Sequence, residues 1–268
     1  MEHRHNILLV SRSRRFSPNS VERDAAILSA VREELLRRGH RVSMVSEDEV
    51  PVEEDADMIF SMGRDEATLQ WLLMKEEAGT RVENSARSLR GINRRLLLME
   101  AQRLGVATAP FAIGPVEDCP LPYPVWWKRD DHTAQEAGDV ALIRNDREWA
   151  DVSQRGITEY VVEQHLEGDL VKFYGVRGTG FFHWNYPQFS KFGNEEVNGQ
   201  TRGTAFDAAL LARQANTLAS VGLTIYGGDA IITPDGLPHI IDLNDWPSFS
   251  SCREEAAGAI AGLSESLR

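Results

Sequence analysis

The sequence predicts an α/β protein in which an open parallel α/β unit leads into α+β structure. Three observations predict it. Residues 5–90 alternate short apolar runs with amphipathic helical stretches, the pattern of a parallel sheet with helical crossovers. Residues 158–185 read as successive strands joined by turns, with no helical stretch between them. Residues 230–243 spell a β-hairpin: Ala230-Ile231-Ile232-Thr233, the turn Pro234-Asp235-Gly236, then His239-Ile240-Ile241-Asp242-Leu243. Pro presets φ in that turn and Gly accepts φ > 0.

Composition narrows the function. A chain of 268 residues can build a large core in two or three subdomains. The net charge of −12 argues against nucleic acid as the main partner, because a phosphate-gripping surface is basic. No apolar run approaches the length of a membrane span, and the opening MEHRHNILLV reads as a short strand, not a secretory segment. Cys119 and Cys252 lie far apart without metal-ligand spacing and read as free thiols of a reducing cytoplasm. The expectation is a cytoplasmic protein, monomer or homodimer, acting on small molecules.

Residues 5–11 (HNILLVS) form an apolar run of strand length. Asn19-Ser20 can cap a helix over 21–38, whose apolar stripe is Ala25, Leu28, Val31 and Leu35 and whose stop is Gly39. Residues 41–45 alternate as a strand and 56–61 make a third; 64–77 read as a helix and 80–84 as a short strand. No Gly-rich dinucleotide fingerprint occurs here. Residues 85–104 predict one helix with Arg94 and Arg95 near its middle and Gly105 as its stop. The rigid stretch 119–124 (CPLPYP) separates it from the strand Val125-Trp126-Trp127-Lys128. A Lys ending such a strand either snorkels to solvent or meets a phosphate. Residues 129–140 form a polar loop, and 158–164 a strand turning at Glu167-Gly168-Asp169 into 170–176. After 181–185 comes a polar loop, 187–204, with Lys191 and Arg202. An amphipathic helix over 205–221, the hairpin and a closing helix over 254–263 complete the chain.

The hairpin carries the sharpest chemical signal. Strand alternation points Asp242 and Asn244 the same way, and Asp229 lies beside them at the start of the first arm. Three oxygen donors of this kind suit Mg2+. The other reading is a solvated polar face. Against it, the pair follows a buried-looking run and precedes Trp246-Pro247, where unpaired polar groups are costly.

Taken together, these pieces resemble the ATP-grasp superfamily over roughly residues 85–268, and the unit before them looks like its pre-grasp domain. The motifs are Arg94-Arg95 with Gly105 and Pro110 downstream, the PVWWK strand ending at Lys128, the run VVEQHLEG (161–168), and Asp229, Asp242 and Asn244. The resemblance implies ATP and Mg2+ as cofactors, with a pre-grasp domain over 1–90, a lid over 91–160 and a metal-bearing subdomain over 161–268. It implies Arg95 and Lys128 on the phosphates; Glu163, Gln164, His165 and Leu166 at the adenine; Asp169 at the ribose; and Lys172 as the base after the hinge. The Mg2+ ligands would be Asp229, Asp242 and Asn244. It also implies ligation of a small-molecule carboxylate to an amine through an acylphosphate, as in the ribosomal-protein glutamate ligase and glutathione synthetase-like group, with Lys128 and Arg202 serving catalysis. LVKFYGV and IDLNDWPSF equally resemble the inositol-phosphate kinase branch, which makes a small-molecule kinase the alternative. A nucleotide-binding module without turnover is a third reading.

Two features depart from the family pattern: loop 129–140 holds one Gly, Gly138, and Ser248 follows Pro247 where Gly is usual. The acceptor region, 181–204, mixes Phe182, Trp184, Tyr186 and Phe189 with few bases, which suits an amino acid, a peptide or a single carboxylate better than a polyphosphate. Arg177, Lys191, Arg202 and Arg253 are the candidates to hold an anionic substrate.

Overall fold

A computed structural model describes residues 4–18, 20–50, 53, 55–130, 138–187 and 203–267. Asn19, the loop residues His132 and Thr133, and Phe189, Lys191 and Arg202 lie outside the described residues.

The first sheet contains β1 (Asn6–Ser11), β2 (Arg41–Ser46), β3 (Met58–Ser61) and β4 (Arg81–Glu83), in the order β2-β1-β3-β4 and all parallel. Its crossovers carry α1 (Val21–Arg37) and α2 (Glu66–Glu77). Ile7, Leu8, Leu9 and Val10 are all buried, as expected of a parallel strand covered on both faces.

The single helix expected over 85–104 is two, α3 (Ala86–Gly91) and α4 (Arg94–Leu104). Asn93 breaks it. Its backbone is extended and its side chain accepts from the Leu96 N–H at 2.8 Å, so it caps α4. Asn competes with helical backbone hydrogen bonds and so favours caps over helix interiors. This break makes Arg94 the first residue of a helix.

The second sheet has β5 (Phe111–Ile113), β6 (Val125–Arg129), β7 (Val140–Ile143) and β8 (Tyr160–Gln164) in the antiparallel order β5-β8-β6-β7. Helix α5 (Asp146–Ser153) packs Trp149 and Val152 against Val125, Trp127 and Val162.

The third sheet has β9 (Asp169–Val176), β10 (Phe181–Asn185), β11 (Ile225–Ile232) and β12 (Pro238–Asp245) in the antiparallel order β10-β9-β11-β12. One face is apolar. Phe173, Phe182, Trp184 and Tyr226 pack there with Leu211, Ala215 and Leu218 of α6 (Ala208–Ala219). Phe182 and Trp184, expected in the acceptor region, are partly buried and pack against this core. The other face is polar, with Asn185, Lys172, Asp229 and Asp242 in one row and His183, Tyr174, Gly227 and Asn244 in the next. The hairpin arms are longer than expected, and Asp229 lies inside β11 beside a bulge, not at its start. Helix α7 (Arg253–Gly262) closes the fold by packing on α1. Among the described residues no helix is long and apolar enough to cross a membrane.

Candidate active site

Lys128 of β6 and Glu163 of β8 form a buried pair that reaches β12 of the third sheet. Lys128 Nζ lies 2.8 Å from Glu163 Oε1 and donates to the Ile241 carbonyl at 2.9 Å, joining the second sheet to β12. Both side chains are buried, at 8% and 4% exposure, so Lys128 does not snorkel to solvent. Lys172 Nζ sits 2.6 Å from Asp229 Oδ1, its cross-strand partner. Burial opposes the Lys172 charge, but the Asp229 carboxylate outweighs it and holds the ammonium above its ordinary pKa.

Arg94, not Arg95, turns its guanidinium toward this cluster. Its Nη1 lies 3.3 Å from Asp242 Oδ1 and its Nε donates to the Arg129 carbonyl at 3.1 Å. Arg95 is exposed; the contact seen for it is its backbone N–H, 3.2 Å from both Asp130 carboxylate oxygens. The Arg94 N–H donates to Asp130 Oδ1 at 2.6 Å. Buried Asp130 thus steadies the positive end of α4. Sequence reasoning reads Arg94 only as one of the Arg94-Arg95 pair and does not single out Asp130. Spacing to Pro110 favours Arg95, whereas the helix start at Asn93 is what turns the Arg94 side chain toward the cluster.

Asp229 and Asp242 pair directly across the hairpin, and Asn244 Nδ2 donates to Asp242 Oδ2 at 2.9 Å. Around them Arg94, Lys128 and Lys172 balance Glu163, Asp229 and Asp242. Among the described residues no group of three or more His, Cys, Asp or Glu is arranged for a metal ion. The candidate set here is two carboxylates and an amide, the small oxygen set that Mg2+ takes when phosphates and water complete its shell.

The link from β8 to β9 runs over 165–168. Gln164 N–H donates to Pro110 at 2.8 Å and His165 N–H to Pro124 at 3.1 Å, so both are committed within the second sheet. The Gln164 amide also donates to Pro122, and the His165 ring accepts from Trp126. Among the described residues, Leu166 N–H has no hydrogen-bond partner. Glu163 Oε2 is buried and likewise unpaired. Asp169 Oδ2 accepts from the N–H groups of Gly203 and Thr204 at 3.1 and 2.9 Å. Asp169 is buried at 2% exposure and fastens the chain at 203–204 to β9. Of the anion-site candidates, Arg177 donates to the Leu223 carbonyl and Arg253 opens α7.

No protein-family model matches the sequence, and no curated protein matches it. Solved structures do. A RimK domain protein from Sphaerobacter thermophilus, described as ATP-grasp, shares 19% identity at a TM-score of 0.66, over 96% of this chain and 98% of that one. The ATP-grasp ligase PsnB, solved with a minimal precursor, Mg and ADP, shares 16% at a TM-score of 0.65, over 98% of each chain. D-alanyl-alanine synthetase A from Vibrio cholerae shares 14% at a TM-score of 0.66, over 99% of this chain and 98% of that one. At these identities the likeness is one of fold.

Proposed function

The chain has the ATP-grasp fold, and from that premise we propose that it is an ATP- and Mg2+-dependent ligase joining a carboxylate to an amine. The observation that carries the reading is the half-buried cluster where the second and third sheets meet. Lys128, Arg94 and Lys172 converge there on the Asp229–Asp242–Asn244 hairpin. Two further features fit a nucleotide. Glu163 Oε2 is a buried acceptor lacking a donor, and Leu166 N–H is a donor lacking an acceptor, three residues apart at the hinge. An adenine edge offers both complements.

In this reading Leu166 and Glu163 hold the base, and Lys128, Arg94 and Lys172 neutralise the triphosphate. Asp229, Asp242 and Asn244 would hold Mg2+, which supplies further charge neutralisation when bound. The side chains position groups and balance charge; none acts as a nucleophile. The acceptors are a small-molecule carboxylic acid, activated as its acylphosphate, and an amine. The solved structures described above include ligases, which favours this reading over a small-molecule kinase.

The test is incubation with ATP, Mg2+ and pools of amino acids and small carboxylic acids. The expected products are ADP and free phosphate, with a hydroxamate when hydroxylamine replaces the amine. A stable phosphoester, with neither free phosphate nor hydroxamate, overturns the ligase in favour of the kinase.

A further inference from the structure

Strand β12 ends at Asp245, one residue beyond Asn244. Alternation turns Asp245 away from the Asn244 face. It points instead to the carboxyl ends of β1 and β3, where two guanidiniums meet it. Arg64, after β3, donates to Asp245 Oδ1. Arg12, after β1, brings Nη2 within 3.7 Å of Asp245 Oδ2 and donates to the Trp246 carbonyl at 3.2 Å. Arg12 is itself fixed, with Nε donating to the Met62 carbonyl at 3.1 Å and Nη1 to Asp24 at 3.3 Å. Buried Glu47 steadies the segment that carries Arg64 by accepting from the N–H groups of Ser13, Arg64 and Asp65. The side chains of Arg12 and Asp245 are 8% and 12% exposed.

The other arm of the hairpin is held from the same sheet. Asn84, just after β4, donates to the Ile225 carbonyl at 2.7 Å and accepts from the Thr224 and Ile225 N–H groups. Trp246 Nε1 donates to the Glu83 carbonyl at 3.3 Å. Within this grip Trp246 adopts φ 38° and Phe249 φ 48°, left-handed backbone that residues with a Cβ rarely take. Strain of this kind persists where the surroundings over-determine it, and it gathers at functional sites. A buried ion cluster is a weak source of net stability, because desolvation offsets its attraction. What it imposes is a fixed geometry.

We infer that Arg12 and Arg64 are positioning residues. By fixing Asp245 and the Trp246 carbonyl they set the exit of β12, and with it the direction in which Asn244 and Asp242 present their oxygens. The inference rests on the metal reading proposed above. It makes the first sheet a working part of a site whose candidate ligands all lie on the third.

The experiment measures ADP affinity by calorimetry across a Mg2+ titration, with a thermal melt of each variant. Arg64→Met removes the more exposed cation, Asp245→Asn keeps shape without charge, and Arg64→Lys is the conservative control. Arg64→Met and Asp245→Asn are expected to raise the Mg2+ concentration for half-maximal tightening about tenfold or more, the usual loss when a residue orienting a metal ligand is removed. Metal-free ADP affinity stays at the wild-type value, and Arg64→Lys recovers part of the loss. Should Asp245→Asn fail to fold, the half-exposed Arg64 variants still decide the matter. A lowered melting temperature with wild-type Mg2+ dependence overturns the inference alone. Absence of any Mg2+ effect in the wild type overturns the metal reading as well.

Discussion

Lys128 combines two roles that separate experimentally. It faces the candidate phosphate site, and it is the counter-ion of buried Glu163. Lys128→Ala is expected to weaken ATP binding by ~1.5–3 kcal/mol, the range for a lost hydrogen bond to a charged group. It should also destabilise the fold by about 3–5 kcal/mol, because Glu163 is left buried without its partner. Adding Glu163→Gln should restore much of the melting temperature and none of the affinity. Wild-type affinity in the single variant would reduce Lys128 to a tie between two sheets. Asp242→Asn and Asn244→Ala should each abolish turnover with the circular dichroism spectrum unchanged, and Mg2+-dependent activity in both would sink the ligand assignment. Cys252 gives a pH prediction. Burial pushes its thiol up to about 11, whereas an unfolded thiol titrates at about 8.5. The native state keeps a proton that the unfolded chain gives up, so stability should fall as pH rises from about 8.5 towards 11. Cys252→Ala should flatten that alkaline limb in thermal melts; a limb of wild-type slope would place the effect elsewhere.

At the scale of single elements, the start of α4 and the middle of β11 set the site. Asn93→Ala removes the cap that begins α4 and should cost about 1 kcal/mol, read as a lowered melting temperature. Gly228 is more demanding. A Cβ there would lie 2.2 Å from the Asp242 carbonyl oxygen and 2.5 Å from the Phe173 ring, so backbone or core must shift. Gly228→Ala should cost ~1–3 kcal/mol, the usual range for overpacking, and displace Asp242. Gly258 in α7 has open space about its Cβ position, and Gly258→Ala should stabilise by ~0.5–1 kcal/mol. Equal melting temperatures for the two variants would refute the packing argument.

Across the whole molecule, the first sheet does not bury its own face alone. Ile7, Leu9, Ile27 and Leu35 share a core with Val176, Ile225, Trp246, Phe249 and Ile260. Residues 1–90 expressed alone should therefore expose that face and melt without a cooperative transition, followed by circular dichroism and dye binding. A sharp two-state melt of the fragment would show that the shared core is dispensable.

What the sequence determined by itself rests on local periods. Alternation at period two placed Asp242 and Asn244 on one side of a strand, and the strand–helix alternation of residues 5–90 matches the parallel sheet. Composition had no power over short elements such as β5 and β7, which exist because β8 and β6 pair with them. Tertiary structure alone decided the rest. Successive helical residues point about 100° apart, so Arg94 or Arg95 enters the site according to where Asn93 starts the helix. The face taken by Phe182 and Trp184 was fixed by the register of β10 on β9. Lys128 meets Ile241, Arg94 meets Asp242 and Arg12 meets Trp246 across separations of 113, 148 and 234 residues, contacts that no local pattern encodes.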